Sequence, residues 1–104
     1  MNLNRLILSG RLTKDPVLEY TSNKTAYAKG SIASNRKFGS KEKTLFLDFV
    51  IWGKIAEILV EYTKKGSRLN VEGTLDQDVW ETDGKKNYRH VMTVENFELL
   101  DKKE

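Results

Sequence analysis

Residues 44–63 read TLFLDFVIWGKIAEILVEYT, and two different periods meet inside this stretch. From Thr44 to Trp52 the chain is strongly β-prone and alternates, with Leu45, Leu47, Phe49 and Ile51 on one face and Phe46, Asp48, Val50 and Trp52 on the other. The first face is a core face. The second sets two large aromatics beside a carboxylate, a mixed surface suited to something flat and polar. From Lys54 to Thr63 the period lengthens: Ile55, Ile58, Leu59 and Tyr62 share one helical stripe, Lys64-Lys65 place cations at the helix end, and Gly66 supplies a stop. No other segment reads convincingly as a helix.

Working outward, period-2 patterning holds on both sides. Leu6 and Leu8 open a first strand that runs to the turn Thr13-Lys14-Asp15-Pro16, where Pro16 cannot donate to a ladder. A short strand, Val17 to Tyr20, follows. Thr25 to Ser34 alternates small with larger residues, and Gly30 inside it marks a bend or a close backbone approach. Residues 35–43, NRKFGSKEK, are polar and basic with one aromatic, the composition of a long hairpin loop. Beyond the helix, Ser67 to Leu75 alternates again, with Leu69, Val71, Gly73 and Leu75 facing one way. A further strand spans Asp78 to Thr82, Asp83-Gly84 signals a hairpin turn, and Tyr88 to Leu100 forms the last strand. The order strand, strand, strand, helix, strand, strand predicts an all-β chain. It fits a five-stranded Greek-key barrel with one α-helix between strands three and four, the OB-fold arrangement. A small sandwich would give a similar string.

The 104 residues suffice for one domain, spanning 1–104, with a modest core. The absence of cysteine removes disulfide scaffolds, thiolate metal sites and thiol nucleophiles, and favours a cytoplasmic setting. Polar residues interrupt the apolar ones at the N-terminus, and no apolar run approaches membrane-spanning length, so neither a signal peptide nor a membrane span is expected. Net charge is +3, unevenly spread: residues 1–43 hold nine Lys/Arg against Asp15, Glu19 and Glu42, and the remainder nets −3. A basic N-terminal segment suits a polyanion partner, and equally suits a solvated surface.

Catalytic constellations are thin. His90 is the lone histidine and lies in a strand pattern. The acids Asp76, Asp78, Glu81 and Asp83 lack the spacing of a calcium loop and read as a solvated face, and no phosphate-cradling glycine run is present. No enzyme activity, metal or cofactor is expected.

Stacking on unpaired bases needs flat rings on a sheet or loop with cations nearby to track phosphates. Phe38 in the basic loop, Phe46, Trp52 beside Gly53, and Trp80 in a polar context meet that need. The competing assignment puts Trp52 and Trp80 in the core. It suits Phe38 poorly, because no apolar strand neighbours accompany that ring.

Four phrases in order carry a resemblance. NRLILSGRLTKDP at 4–16, FLDFVIWGKIAE at 46–57, EY and KKGS at 61–67, and VEGTL at 71–75 with Trp80 after it resemble bacterial single-stranded DNA-binding proteins over nearly the whole chain. The resemblance implies sequence-independent binding and protection of single-stranded DNA during replication, recombination and repair. It implies a homotetramer in the cytoplasm, associated with the nucleoid. The family's stacking positions map onto Phe38, Phe46, Trp52 and Trp80. Candidate phosphate contacts are Arg5, Arg11, Lys29, Arg36, Lys37 and Lys54. Leu47 and Asp48 stand where one branch of the family carries a histidine near the subunit interface and an arginine, so the interface details of that branch are not carried over. The family's acidic C-terminal tail with its Pro-Phe tip has no counterpart after Asp101-Lys102-Lys103-Glu104, and recruitment of replication and repair proteins is expected only where such a tail exists.

Two other binding modules share these features. A primosomal accessory protein on a related OB-fold opens with a similar first strand and works mainly through protein contacts, but it matches less well afterwards, and it forms dimers. An RNA-binding OB or cold-shock-like module would also present aromatic platforms. Its affinity for matched DNA and RNA oligomers would set it apart.

Overall fold

The computed structural model describes residues 3–101. Its strands are β1 (Leu6–Leu12), β2 (Val17–Tyr20), β3 (Ala26–Phe38), β4 (Lys41–Trp52), β5 (Arg68–Thr82) and β6 (Lys85–Leu99), with one helix, α1 (Lys54–Tyr62), between β4 and β5. The sheet order is β1-β5-β6-β4-β3-β2, and a further pairing of β1 with β3 through Leu12 and Ile32 closes the ring. β2 continues along the same edge of β3, from Val17 opposite Lys29 to Tyr20 opposite Ala26. The turn before Pro16 thus splits one barrel stave in two. Counted as staves, the barrel has five and the helix follows the third; counted as strands it has six and the helix follows the fourth. All pairings are antiparallel except β4 with β6. A closed, five-stave, all-β barrel with one helix is consistent with an OB-fold.

Alternation fills the barrel. Phe49 and Ile51 of β4 meet Ile32 and Ala28 of β3, Leu69 and Val71 of β5, and Met92 and Val94 of β6, all buried. Gly30 is needed where β3 passes under the Phe49 ring: a Cβ there would lie 2.5 Å from its Cζ.

Six expectations are corrected. Residues 35–43 are not a loop, because β3 and β4 stay paired out to Phe38 opposite Lys41, with only Gly39-Ser40 turning. β5 runs unbroken from 68 to 82 and forms a second long hairpin with β6, closed by Asp83 and Gly84 with φ of 52° and 77°. The ladder begins at Lys85, three residues earlier than expected, and Leu75, expected to align with the core, is already on the exposed arm. The helix is rotated from the expected stripe, burying Ala56 and Leu59 while Ile58 and Tyr62 lie towards the surface. It ends at the extended Thr63, and Gly66 belongs to the next turn, in which the Ser67 amide donates to the Lys64 carbonyl. No helix among the described residues is long and apolar enough to cross a membrane.

Candidate nucleic-acid interface

β4 sorts its side chains as the alternation requires. Leu47, Phe49 and Ile51 are buried, whereas Phe46 is 68% and Trp52 48% exposed on the outer face. Leu45, though on the core side, is exposed, because by that point the β3–β4 hairpin has left the barrel body. Phe46 and Trp52 are six residues apart on one strand face, about 20 Å, so they can serve different bases. Trp52 does not stand alone. Tyr27, its cross-strand partner, stacks on the indole with centroids 4.9 Å apart and planes 29° from parallel. The Tyr27 hydroxyl donates to Glu19 Oε2 at 2.5 Å, and the Lys29 ammonium lies 5.8 Å from the Tyr27 ring centroid. That hydrogen bond, then loss of hydration and the Glu19 charge, raises the Tyr27 phenol pKa above its ordinary value.

Phe38 ends β3 on the strand face that lower down carries Ile32 and Ala28, so it points to the opposite side of the hairpin from Phe46. The Arg36 guanidinium sits 5.2 Å and the Lys43 ammonium 5.9 Å from its centroid. A ring already flanked by two cations suits a stacked, negatively charged strand. Trp80, 46% exposed, lies on the outer face of β5 across from Asn87. Neither tryptophan is a core residue. The structure therefore places Phe46, Trp52 and Trp80 on the outer faces of two neighbouring hairpins, with Phe38 on the far side of one of them.

Between those hairpins runs a groove of about 460 Å³, lined among others by Lys14, Lys29, Asp48, Asp76, Asp78 and Arg89. Asp76 and Asp78 are thus not merely a solvated face. Thr93 donates to Asp76 Oδ2 at 2.7 Å, and Arg89 reaches Asp78 at 3.3 Å and Asp48 at 3.6 Å. Among the described residues no cluster of His, Asp and Glu could hold a metal ion.

The six candidate phosphate contacts divide between two regions. Lys29 lines the groove, Lys54 opens the helix two residues after Trp52, and Arg36 and Lys37 ride the β3–β4 arm, where Lys37 is 4.0 Å from Glu42. Lys54 is a cation at a helix N-terminus with no side-chain cap, a place where the dipole disfavours it. Arg5 pairs with Glu72 on the β1–β5 wall, and Arg11 donates to the Gly66 carbonyl at 3.1 Å, so neither joins the groove. Residue-by-residue reading missed Tyr27 and Arg89. Tyr27 could have been found from its place in an alternating strand. Arg89 could not, because its partner Asp48 is brought in by a parallel pairing 41 positions away in sequence.

The model of the single-strand binding protein family matches residues 3–100. Relatives named single-stranded DNA-binding protein include one from Wolinella succinogenes, 40% identical over 96% of this chain and 65% of its own length, and one from Bacillus cereus, 42% identical over 95% of this chain and 61% of its own. The Helicobacter pylori relative of the same name is 37% identical over 96% of this chain and 59% of its own. The chain thus spans about three-fifths of the length of these relatives.

Proposed function

The chain belongs to the single-strand binding protein family, and on that premise we propose that it binds and protects single-stranded DNA without sequence preference and catalyses no reaction. The observation that carries this reading is the exposure of Phe46 and Trp52 on β4 and of Trp80 on the β5–β6 arm, with Lys29 and Lys54 close to Trp52. Large rings left half in water at such positions make sense as a stacking platform. Phe38 extends the path around the β3–β4 arm, and Arg36, Lys37, Arg5 and Arg11 are further phosphate contacts. The stave order supports Greek-key connectivity. A single short barrel offers a limited surface, so the working form is a homotetramer, acting at the nucleoid in replication, recombination and repair.

Binding of oligo-dT compared with a duplex of equal length tests the reading, with sedimentation for the assembly. Strong preference for the single strand, weakening with salt, is the expected result. Equal affinity for both would overturn it.

A further inference from the structure

The groove between the two hairpins has an electrostatic problem. Asp48, Asp76 and Asp78 line it together with Lys14 and Lys29, and Arg89 is the cation that pairs directly with two of the three acids, Asp48 and Asp78. A phosphodiester strand passing from Phe46 or Trp52 to Trp80 has to cross this groove, and uncompensated carboxylates there would repel it. Arg89 is well placed to prevent that. It stands opposite Asp78 in the β5–β6 ladder, and Asp78 is two residues from Trp80 on the same strand face. The parallel ladder sets Asp48 beside Val91, so Phe46 and Arg89 are each two residues before that pair.

The way Arg89 is held is equally informative. Its contacts of 3.3 and 3.6 Å are longer than the roughly 2.7–2.9 Å of a tight charge-assisted hydrogen bond. The Arg89 side chain is 53% exposed and Asp48 and Asp78 are similarly open, so the pairs are screened and weak. Each carboxylate is met by one guanidinium nitrogen only, whereas a phosphate can take two parallel bonds from the same group. Resting on the single-strand reading above, we propose that Arg89 is a strand-contact residue of this face, restrained by Asp48 and Asp78 until a backbone phosphate takes their place. The two carboxylates then oppose binding, and the arginine both contacts the strand and masks them from it.

Oligo-dT binding by the full chain, measured as a function of salt, decides the matter. Arg89→Ala is expected to weaken binding by about tenfold or more, since it removes a charge-assisted contact and uncovers the acids. It should also flatten the salt slope by about 0.7, the value for one fewer phosphate neutralised on a single strand. Arg89→Lys should keep the slope and recover part of the affinity. The Asp48→Asn/Asp78→Asn pair should bind more tightly than wild type at low salt, with the gain fading as salt rises. A purely structural ion network would instead change the melting temperature and leave the slope alone. The Asn pair carries the test by itself should Arg89→Ala unfold. Wild-type binding with unchanged affinity and slope in Arg89→Ala, or weaker binding by the Asn pair, overturns the inference while leaving the single-strand reading intact. Failure of the wild type to bind oligo-dT overturns both.

Discussion

Tyr27 and Trp52 stack across the β3–β4 ladder, so one face of the indole is covered by protein while the ring as a whole stays about half exposed. Tyr27 is itself fixed by its hydrogen bond to Glu19. A half-exposed tryptophan with nothing beneath it would sample several rotamers, and ordering it on binding would offset part of the stacking gain. Here the ordering is supplied in advance by the sheet.

Tyr27→Ala should therefore weaken oligo-dT binding even where Tyr27 makes no contact with DNA. Aromatic pairs are worth about 0.5–1.5 kcal/mol beyond their burial, which corresponds to a loss of about two- to tenfold if all of it is used in binding. Tyr27→Phe keeps the ring and loses only the Glu19 bond that fixes it, so it should lose less than Tyr27→Ala. Isothermal titration of the two variants separates a role for the ring from a role for the hydroxyl.

Replacing the exposed rings should cost affinity and spare the fold. Phe46→Ala, Trp52→Ala and Trp80→Ala are each expected to lose about 1–3 kcal/mol of binding, a scale established on single-stranded-DNA-binding OB-folds themselves and taken over here. Phe38→Ala should lose less, because its ring lies at the tip of an arm, on the opposite side of the hairpin from Phe46. Phe49→Ala is the contrast: it empties the barrel centre and should destabilise by about 3–5 kcal/mol. Thermal melts beside binding curves check the pattern. It fails if the exposed-ring variants melt as early as Phe49→Ala.

The acid side of the stability profile should carry the signature of Asp101. The Arg68 backbone N–H donates to its carboxylate at 2.8 Å and the Arg68 side chain at 3.1 Å, and these contacts, backbone first, hold its pKa below the ordinary carboxylate value. A carboxyl whose folded pKa is depressed stabilises the fold above its unfolded value and loses that contribution as pH falls through the folded one. The contact closes the end of β6 onto the start of β5, where the Leu100 amide also donates to the Arg68 carbonyl. Asp101→Asn should thus lower stability at neutral pH and flatten its dependence between about pH 5 and pH 2. Melting temperatures across that range check it, and parallel curves for variant and wild type would contradict it.

Where an apolar alternation meets a buried wall, sequence and structure agree. Residues 45–52 sort onto two faces as expected, the Asp83-Gly84 turn stands where its chemistry puts it, and the helix falls at 54–62. The misreadings share a physical cause. Residues 35–43 and 78–90 form hairpin arms outside the barrel, where solvent surrounds both faces and no core imposes an alternation, so their paired backbone is invisible in residue polarity. The helix rotation escaped for a related reason: Ala56 is buried by closeness to the barrel, which its small size permits but does not advertise. Of the four candidate rings, Phe38 and Trp80 stand out by their polar surroundings, and Phe46 and Trp52 by their place on the strand face opposite the core. Which strand face Phe38 and Trp80 take, and the Asp48–Arg89–Asp78 contacts, depend on long-range register.

The most direct test of the account uses its two tryptophans as reporters. Both are half exposed on the proposed platform, and stacked bases quench indole emission. Titration of the wild-type protein with oligo-dT should lower tryptophan fluorescence in proportion to bound strand until a stoichiometric end point, with Trp52→Ala and Trp80→Ala each removing part of the quench. Emission unchanged at saturation, with binding verified by sedimentation, would mean that neither ring meets a base and that the platform assignment is wrong.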